Sequence, residues 1–172
     1  NERLTEMALA VLEVLANDEL PEVRAIVSQE IKSLENVPKQ LIRKLAQDAE
    51  TIVSAPILEY SPLLSELELV QIIAGGIQGA ALIAVARRLD IGETVSSAIV
   101  ERNDSRSMIE LLKNQTARIG EKAMNVIGMK APDIEDMHRP LVERSNLSVH
   151  TMKRIATFVS AALVERLIER ND

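Results

Sequence analysis

Cysteine and tryptophan are absent, and the aromatic side chains number only two, Tyr60 and Phe158. Without cysteine there can be no disulfide, no thiolate metal site and no cysteine nucleophile. The absence also fits a reducing compartment. So few aromatic rings disfavour a base-stacking platform for nucleic acid and an aromatic-lined cofactor cleft. The core must be built from Leu, Ile, Val, Ala and Met. At 172 residues with 47% hydrophobic side chains, the chain is long enough for one domain with a full core.

Positive charge is scarce in the first half. Residues 1–86 hold six basic and thirteen acidic side chains, a net of −7; residues 87–172 hold fourteen and thirteen, a net of +1. That balance disfavours duplex nucleic acid, whose affinity rests on neutralised phosphates. No charged-then-apolar signal segment opens the chain. Its first residue is Asn1 rather than Met, so a fragment of a longer protein is expected. The one long uncharged run, Leu69 to Ala86, contains Gln71, Gln78 and the pair Gly75-Gly76, which reads as two buried helices around a turn rather than a membrane span.

What is present is a period. Ile91-Gly92-Glu93 returns as Ile119-Gly120-Glu121, and Val37-Pro38-Lys39, Leu64-Ser65-Glu66 and Leu147-Ser148-Val149 extend the series in steps of 27, 27, 28 and 28 residues. Each copy is an aliphatic residue followed by Pro, Ser or Gly. Pro suits the first helical position, and Ser and Gly suit the N-cap, so each copy opens a helix. Eight residues after each aliphatic residue stand Leu45, Ile72, Ile99, Ile127 and Ile155; the next column is Ala46, Ile73, Val100, Gly128 and Ala156. With Leu41, Val95 and Ala123, or Ile42, Leu69, Met124 and Met152, one turn earlier, they form one face of a helix. Lys39, Glu66, Glu93, Glu121, Arg43, Lys153 and Arg154 face away.

A second helical stretch precedes each copy, over Pro21–Leu34, Ala49–Tyr60, Ile77–Arg88, Ser105–Asn114 and Asp133–Arg144. Ile31, Leu58, Val85 and Leu141 share a column there, with Lys113 beside Leu112 in the fourth copy, while Asp48 and Asp104 are natural caps. Residues 2–16 read as an opening amphipathic helix through Leu4, Met7, Ala8, Val11, Leu12 and Leu15. The expected fold is therefore all-α: an α-solenoid of about five short helix pairs, an N-terminal helix and a long C-terminal capping helix. That last helix is expected to run from Ser148 to Arg170. Its apolar stripe through Phe158, Leu163 and Leu167 suits a cap, a contact with residues outside this stretch of chain, or a homodimer contact.

The segments Pro56-Ile-Leu-Glu-Tyr-Ser-Pro-Leu-Leu-Ser65, Ala84-Val-Ala-Arg-Arg-Leu-Asp-Ile-Gly92, Val100-Glu-Arg-Asn-Asp104 and Leu111-Leu-Lys-Asn114, with Ala117-Arg-Ile119, resemble a bacterial family of HEAT-like repeat proteins known only as a conserved domain of unknown function. The resemblance covers residues 20–155 and implies a HEAT-like superhelix, with no catalytic residue to carry over.

Candidate chemistry is sparse. His138 and His150 lack metal-ligand spacing, although Asp133, Asp136 and Glu143 lie near the first. No serine sits in a nucleophile elbow. Gly75-Gly76-Ile-Gln-Gly79 lacks the Lys-Ser/Thr ending of a phosphate loop and reads as a turn with close packing at Gly79. Arg87 and Arg88 end a helix, where cations complement the carbonyl end, and Arg144 follows Arg88 by 56 residues. The outward column Arg43, Val70, Ser97, Asn125 and Lys153 would make a ladder along one face. The expectation is a non-enzymatic, cytoplasmic scaffold for a protein or peptide, with Arg43, Ser97, Asn125, Lys153, Arg87 and Arg88 as candidate contacts. It needs no cofactor, metal, nucleic acid or membrane span. A nucleic-acid-binding module is the alternative, followed by a lyase-type enzyme that shares only the architecture.

Overall fold

A computed structural model describes residues 2–145 and 147–171. The described residues are helical, with no strand among them. Helix α1 covers Glu2–Leu15 and is followed by α2 (Pro21–Ile31), α3 (Lys39–Ala46), α4 (Thr51–Tyr60), α5 (Glu66–Ala74) and α6 (Gly79–Arg87). The second half contains α7 (Glu93–Glu101), α8 (Ser105–Lys113), α9 (Glu121–Lys130), α10 (His138–Val142), α11 (Val149–Ala156) and α12 (Ala161–Asn171). The helices gather into two compact units, Asn1–Arg88 and Leu89–Asp172.

In the first unit α2, α4 and α6 pack in succession, with α1 against α2 and α3 against α4. In the second, α7, α9 and α11 pack in succession, as do α8, α10 and α12. Neither helix of a pair this short could hide its apolar face alone; neighbours supply the missing contacts. The column Leu45, Ile72, Ile99, Ile127 and Ile155 is buried throughout, and so is Ile31, Leu58, Val85 and Leu141. In the next column Ala46, Ile73, Val100 and Gly128 are buried and Ala156 is exposed.

The repeat motif punctuates helices as expected, with differences of detail. Ser65 closes a capping box with Glu68 at the start of α5, and Ser148 accepts from the Thr151 N–H at the start of α11. Gly92 and Gly120 are N-caps, while Pro38 takes the N-cap itself rather than the first helical position. Asp104 caps α8 through the Ser107 N–H. Asp48 instead accepts from the Glu50 N–H ahead of α4 and is held by Arg24 at 2.7 and 3.0 Å. The uncharged run from Leu69 divides into α5 and α6 around Gly76, at φ +99°, and Gly79, at φ +52°. Gly79 is needed for its backbone angle and not for packing, since a Cβ there would meet nothing within 4 Å. No described helix is long and apolar enough to cross a membrane.

Two expected helices are broken. The stretch 133–144 begins as two 3₁₀ turns, Ala131–Asp133 and Glu135–Met137, before α10. Pro140 has no N–H for the carbonyl four residues earlier and stands in the first turn of α10, where none is needed, although α4 runs on through Pro56. The long C-terminal helix is really two, α11 and α12, separated by residues 157–160. Thr157 turns its hydroxyl onto the Arg154 carbonyl, ending α11, and the Ser160 carbonyl accepts the Leu163 and Val164 N–H groups that start α12. The chain doubles back there, and α12 packs on α10.

That return puts α12 in register with the repeats. Arg88 reaches the Ser61 carbonyl, Arg144 reaches Ala117, and Arg170 and Asn171 reach Glu143 and Arg144, each contact 27 residues back. Helix α12 therefore occupies the place of a further first helix.

Candidate binding surfaces

The recurring arginines are joints. Arg88 donates to the Leu58 and Ser61 carbonyls, both at 2.7 Å, at the end of α4. Arg144 donates to Leu112, Asn114 and Ala117 at 3.2, 3.0 and 2.7 Å, at the end of α8. The last carbonyls of a helix have no partner within it, and a forked guanidinium satisfies several together. Burial pushes both guanidiniums below the ordinary arginine value. Their period was visible in the sequence; their partners were not, because a carbonyl carries no sequence signature.

The remaining predicted contacts lie outward on the second helices. Arg43, on α3, is exposed and pairs with Glu68, which also holds Lys39 at 3.1 Å. The Ser65 backbone N–H, reinforced by Arg43, the Ser65 hydroxyl and Lys39, keeps the Glu68 carboxyl at about 2. Val70 is half-buried on α5. Ser97 and Asn125 are half-buried on α7 and α9, and Lys153 is exposed on α11, so these three stand on successive packed helices. Arg87 is exposed at the end of α6.

A cleft of about 430 Å³ in the second unit lies among the turns that open α9 and α11, lined by Glu93, Arg118, Glu121, Arg144, Ser148 and Thr151 among others. Much of its polar lining is already engaged. Ser148 and Thr151 pair through their hydroxyls at 2.9 Å, and Arg144 serves the α8 carbonyls. Glu93 lies so close to the α9 N-cap that a Cβ on Gly120 would stand 2.9 Å from its carboxylate. The cleft is chiefly a joint between repeats. His138 is half-buried, its Nε2 2.8 Å from the Ala131 carbonyl and its ring against Phe158 at 5.0 Å. Among the described residues no three His, Asp or Glu side chains gather as a metal site.

The surface least expected from sequence is α1. Ala16 is buried, and Leu9 and Leu12 are half-buried, which ties one side of the helix down. The other side is open: Leu4, Met7, Val11 and Val14 are 69, 62, 58 and 72% exposed. Beside it lies a groove of about 440 Å³ lined by Leu4, Ala8, Leu9, Leu12, Leu34 and Val37. The available signal was width. Leu4, Met7, Leu9, Val11, Leu12, Val14 and Leu15 encircle more of the helix than one neighbour can cover.

The model of a family described as "Uncharacterised protein conserved in bacteria (DUF2336)" matches residues 53–172. No curated protein and no solved structure matches the chain.

Proposed function

We propose, for a chain that belongs to the bacterial family DUF2336, a non-enzymatic role as a cytoplasmic HEAT-like scaffold that binds another protein or a peptide. The observation that carries this reading is the open apolar row Leu4, Met7, Val11 and Val14. A soluble protein rarely leaves a contiguous row of large aliphatic side chains in water unless something covers it. The outward residues Ser97, Asn125 and Lys153 offer a second, polar contact surface, since they stand on three helices packed in succession. Arg43 and Arg87 are further contacts of the same kind. Arg88 contributes by holding the end of α4 in place. Such a scaffold acts by shape and charge, with a few anchors supplying most of the affinity.

Affinity capture with the full-length protein tests the reading. The expected result is a protein retained by the wild type and released by Met7→Gln/Val14→Gln or by Ser97→Arg/Asn125→Arg. Retention of nucleic acid in place of protein would contradict it, as would turnover of a small molecule by the purified chain.

A further inference from the structure

We infer that the outer edge of α11 is a docking site for one amphipathic helix from a partner protein, a helix that opens on an acidic first turn. The inference rests on the scaffold reading and names a site and a partner class for it. The repeat itself identifies the kind of occupant. The column Ala46, Ile73, Val100 and Gly128 is buried, and its next member, Ala156, is exposed. The column Ile31, Leu58, Val85 and Leu141 is at most 1% exposed, yet Ile168 is 53% exposed. Ile168 follows Leu141 by the 27 residues that also separate Asn171 from its acceptor on Arg144. Both columns lose their cover at the same step. What covers such a position is visible one repeat earlier, where a Cβ on Gly128 of α9 would stand 3.2 Å from the Arg154 side chain of α11. The edge at Ala156 therefore suits a helix laid along α11, as α11 lies along α9.

Charge selects the sequence of that helix. In the first unit, Arg43 and Lys39 on α3 both hold Glu68, which stands in the first turn of the following second helix, α5. Lys153 occupies on α11 the place of Arg43 on α3, six residues after the aliphatic residue of its motif, and is exposed. A carboxylate in the first turn of the docked helix would meet Lys153 there, and the positive end of that helix favours the same carboxylate. Two other occupants fit less well. Val149 and Ala156 stand four residues before Lys153 and three after it. A two-fold pairing of this edge with a second copy would thus set one Lys153 against the other. A further helix of this chain in an ordinary joint would be met by a polar side chain two residues after the aliphatic one: Lys39 reaches Glu68, and Glu93 lies at the Gly120 cap. Val149 stands at that position on α11, apolar and 62% exposed.

The probe is a synthetic helix copying residues 64–75, the α5 segment with its capping box. It is stapled through positions 66 and 70, whose counterparts Glu93 and Arg43 turn toward the following helix. Titrated onto the whole chain, it should bind. Val149→Gln/Ala156→Arg should weaken it about tenfold or more while leaving Tm unchanged, since both residues face solvent. Lys153→Gln on the chain and Glu68→Gln on the peptide, which keeps the capping box, should each weaken binding about threefold to fivefold. The two together should cost no more than either alone. Absence of binding, or binding that the double variant leaves unchanged, would overturn the site; the capture experiment decides the scaffold reading separately. Independent effects of the two glutamines would overturn the acidic first turn and with it the partner class. A chain that sediments as a dimer and becomes a monomer in the double variant makes a second copy the occupant. A full-length protein that refuses the peptide these 172 residues bind makes its own chain the occupant. Either result overturns the partner.

Discussion

The two flanking helices of the chain, α1 and α12, are both amphipathic, yet they end differently. Helix α12 is fastened. Leu167 is 2% exposed, Arg170 and Asn171 donate to carbonyls of Glu143 and Arg144, and the Asn171 side chain accepts from the Leu147 N–H. Helix α1 is held by Ala16 and the half-buried Leu9 and Leu12, while its widest apolar face points away from the unit. The difference follows from register. Helix α12 falls on the repeat step and finds carbonyl acceptors 27 residues back, as Arg88 and Arg144 do at the ends of α6 and α10. Helix α1 precedes the first copy, and the contact on the 27-residue step at its end is between side chains, Lys44 donating to Asn17. Amphipathicity therefore says that a helix has an apolar face; only register says whether that face is covered.

The comparison can be broken at its strongest point first. Arg144→Met should cost about 3–5 kcal/mol in urea unfolding, because three carbonyls, two of them in buried contacts, lose a charged donor together. Arg88→Met, which strands two carbonyls, should cost less. Equal and small effects would show that the repeat step is not what fastens these helices. Leu167→Ala should cost about 2–4 kcal/mol as a core cavity in the second unit. A loss below about 1 kcal/mol would mean that α12 is as loosely held as α1.

Acid sharpens the contrast within the first unit. Glu68 sits at about 2, chiefly through the Ser65 N–H, and Arg24 holds the Asp48 carboxyl below the usual carboxylate range. Both groups bind protons more weakly folded than unfolded. Their stabilisation is thus present above the unfolded carboxylate range and is lost as pH falls from about 5 toward 2. Circular dichroism against pH should show that loss blunted in Glu68→Gln. Ser65→Ala should cost about 1 kcal/mol through the cap. Smallest of all, Met7→Gln should change stability by no more than about 0.5 kcal/mol, since it faces solvent. A large loss would mean that the α1 face is packed in the free protein.

The period was readable because punctuation and core obey different rules at fixed offsets. Ser65, Gly92, Gly120 and Ser148 all cap helices, and every residue of the column from Leu45 to Ile155 is buried. The break at residues 157–160 was less legible. Apolar spacing continues across it, and Thr157 and Ser160 act through local hydroxyl and carbonyl bonds that compete with the helix. Pro140 alone could not announce the break in 133–144, since α4 runs on through Pro56. Of the candidate contacts, Ser97, Asn125 and Lys153 stand on successive packed helices as the column implied. The open face of α1 was half-visible. Leu4, Met7 and Val11 were named by periodicity and Val14 was not, and their exposure depends on which neighbours pack on the helix, a property of the packed chain.

Amide hydrogen exchange on the free chain tests the contrast most directly. The α12 amides should be protected nearly as well as those of α8, and the α1 amides should exchange faster. A well-protected α1 beside a freely exchanging α12 would contradict the account.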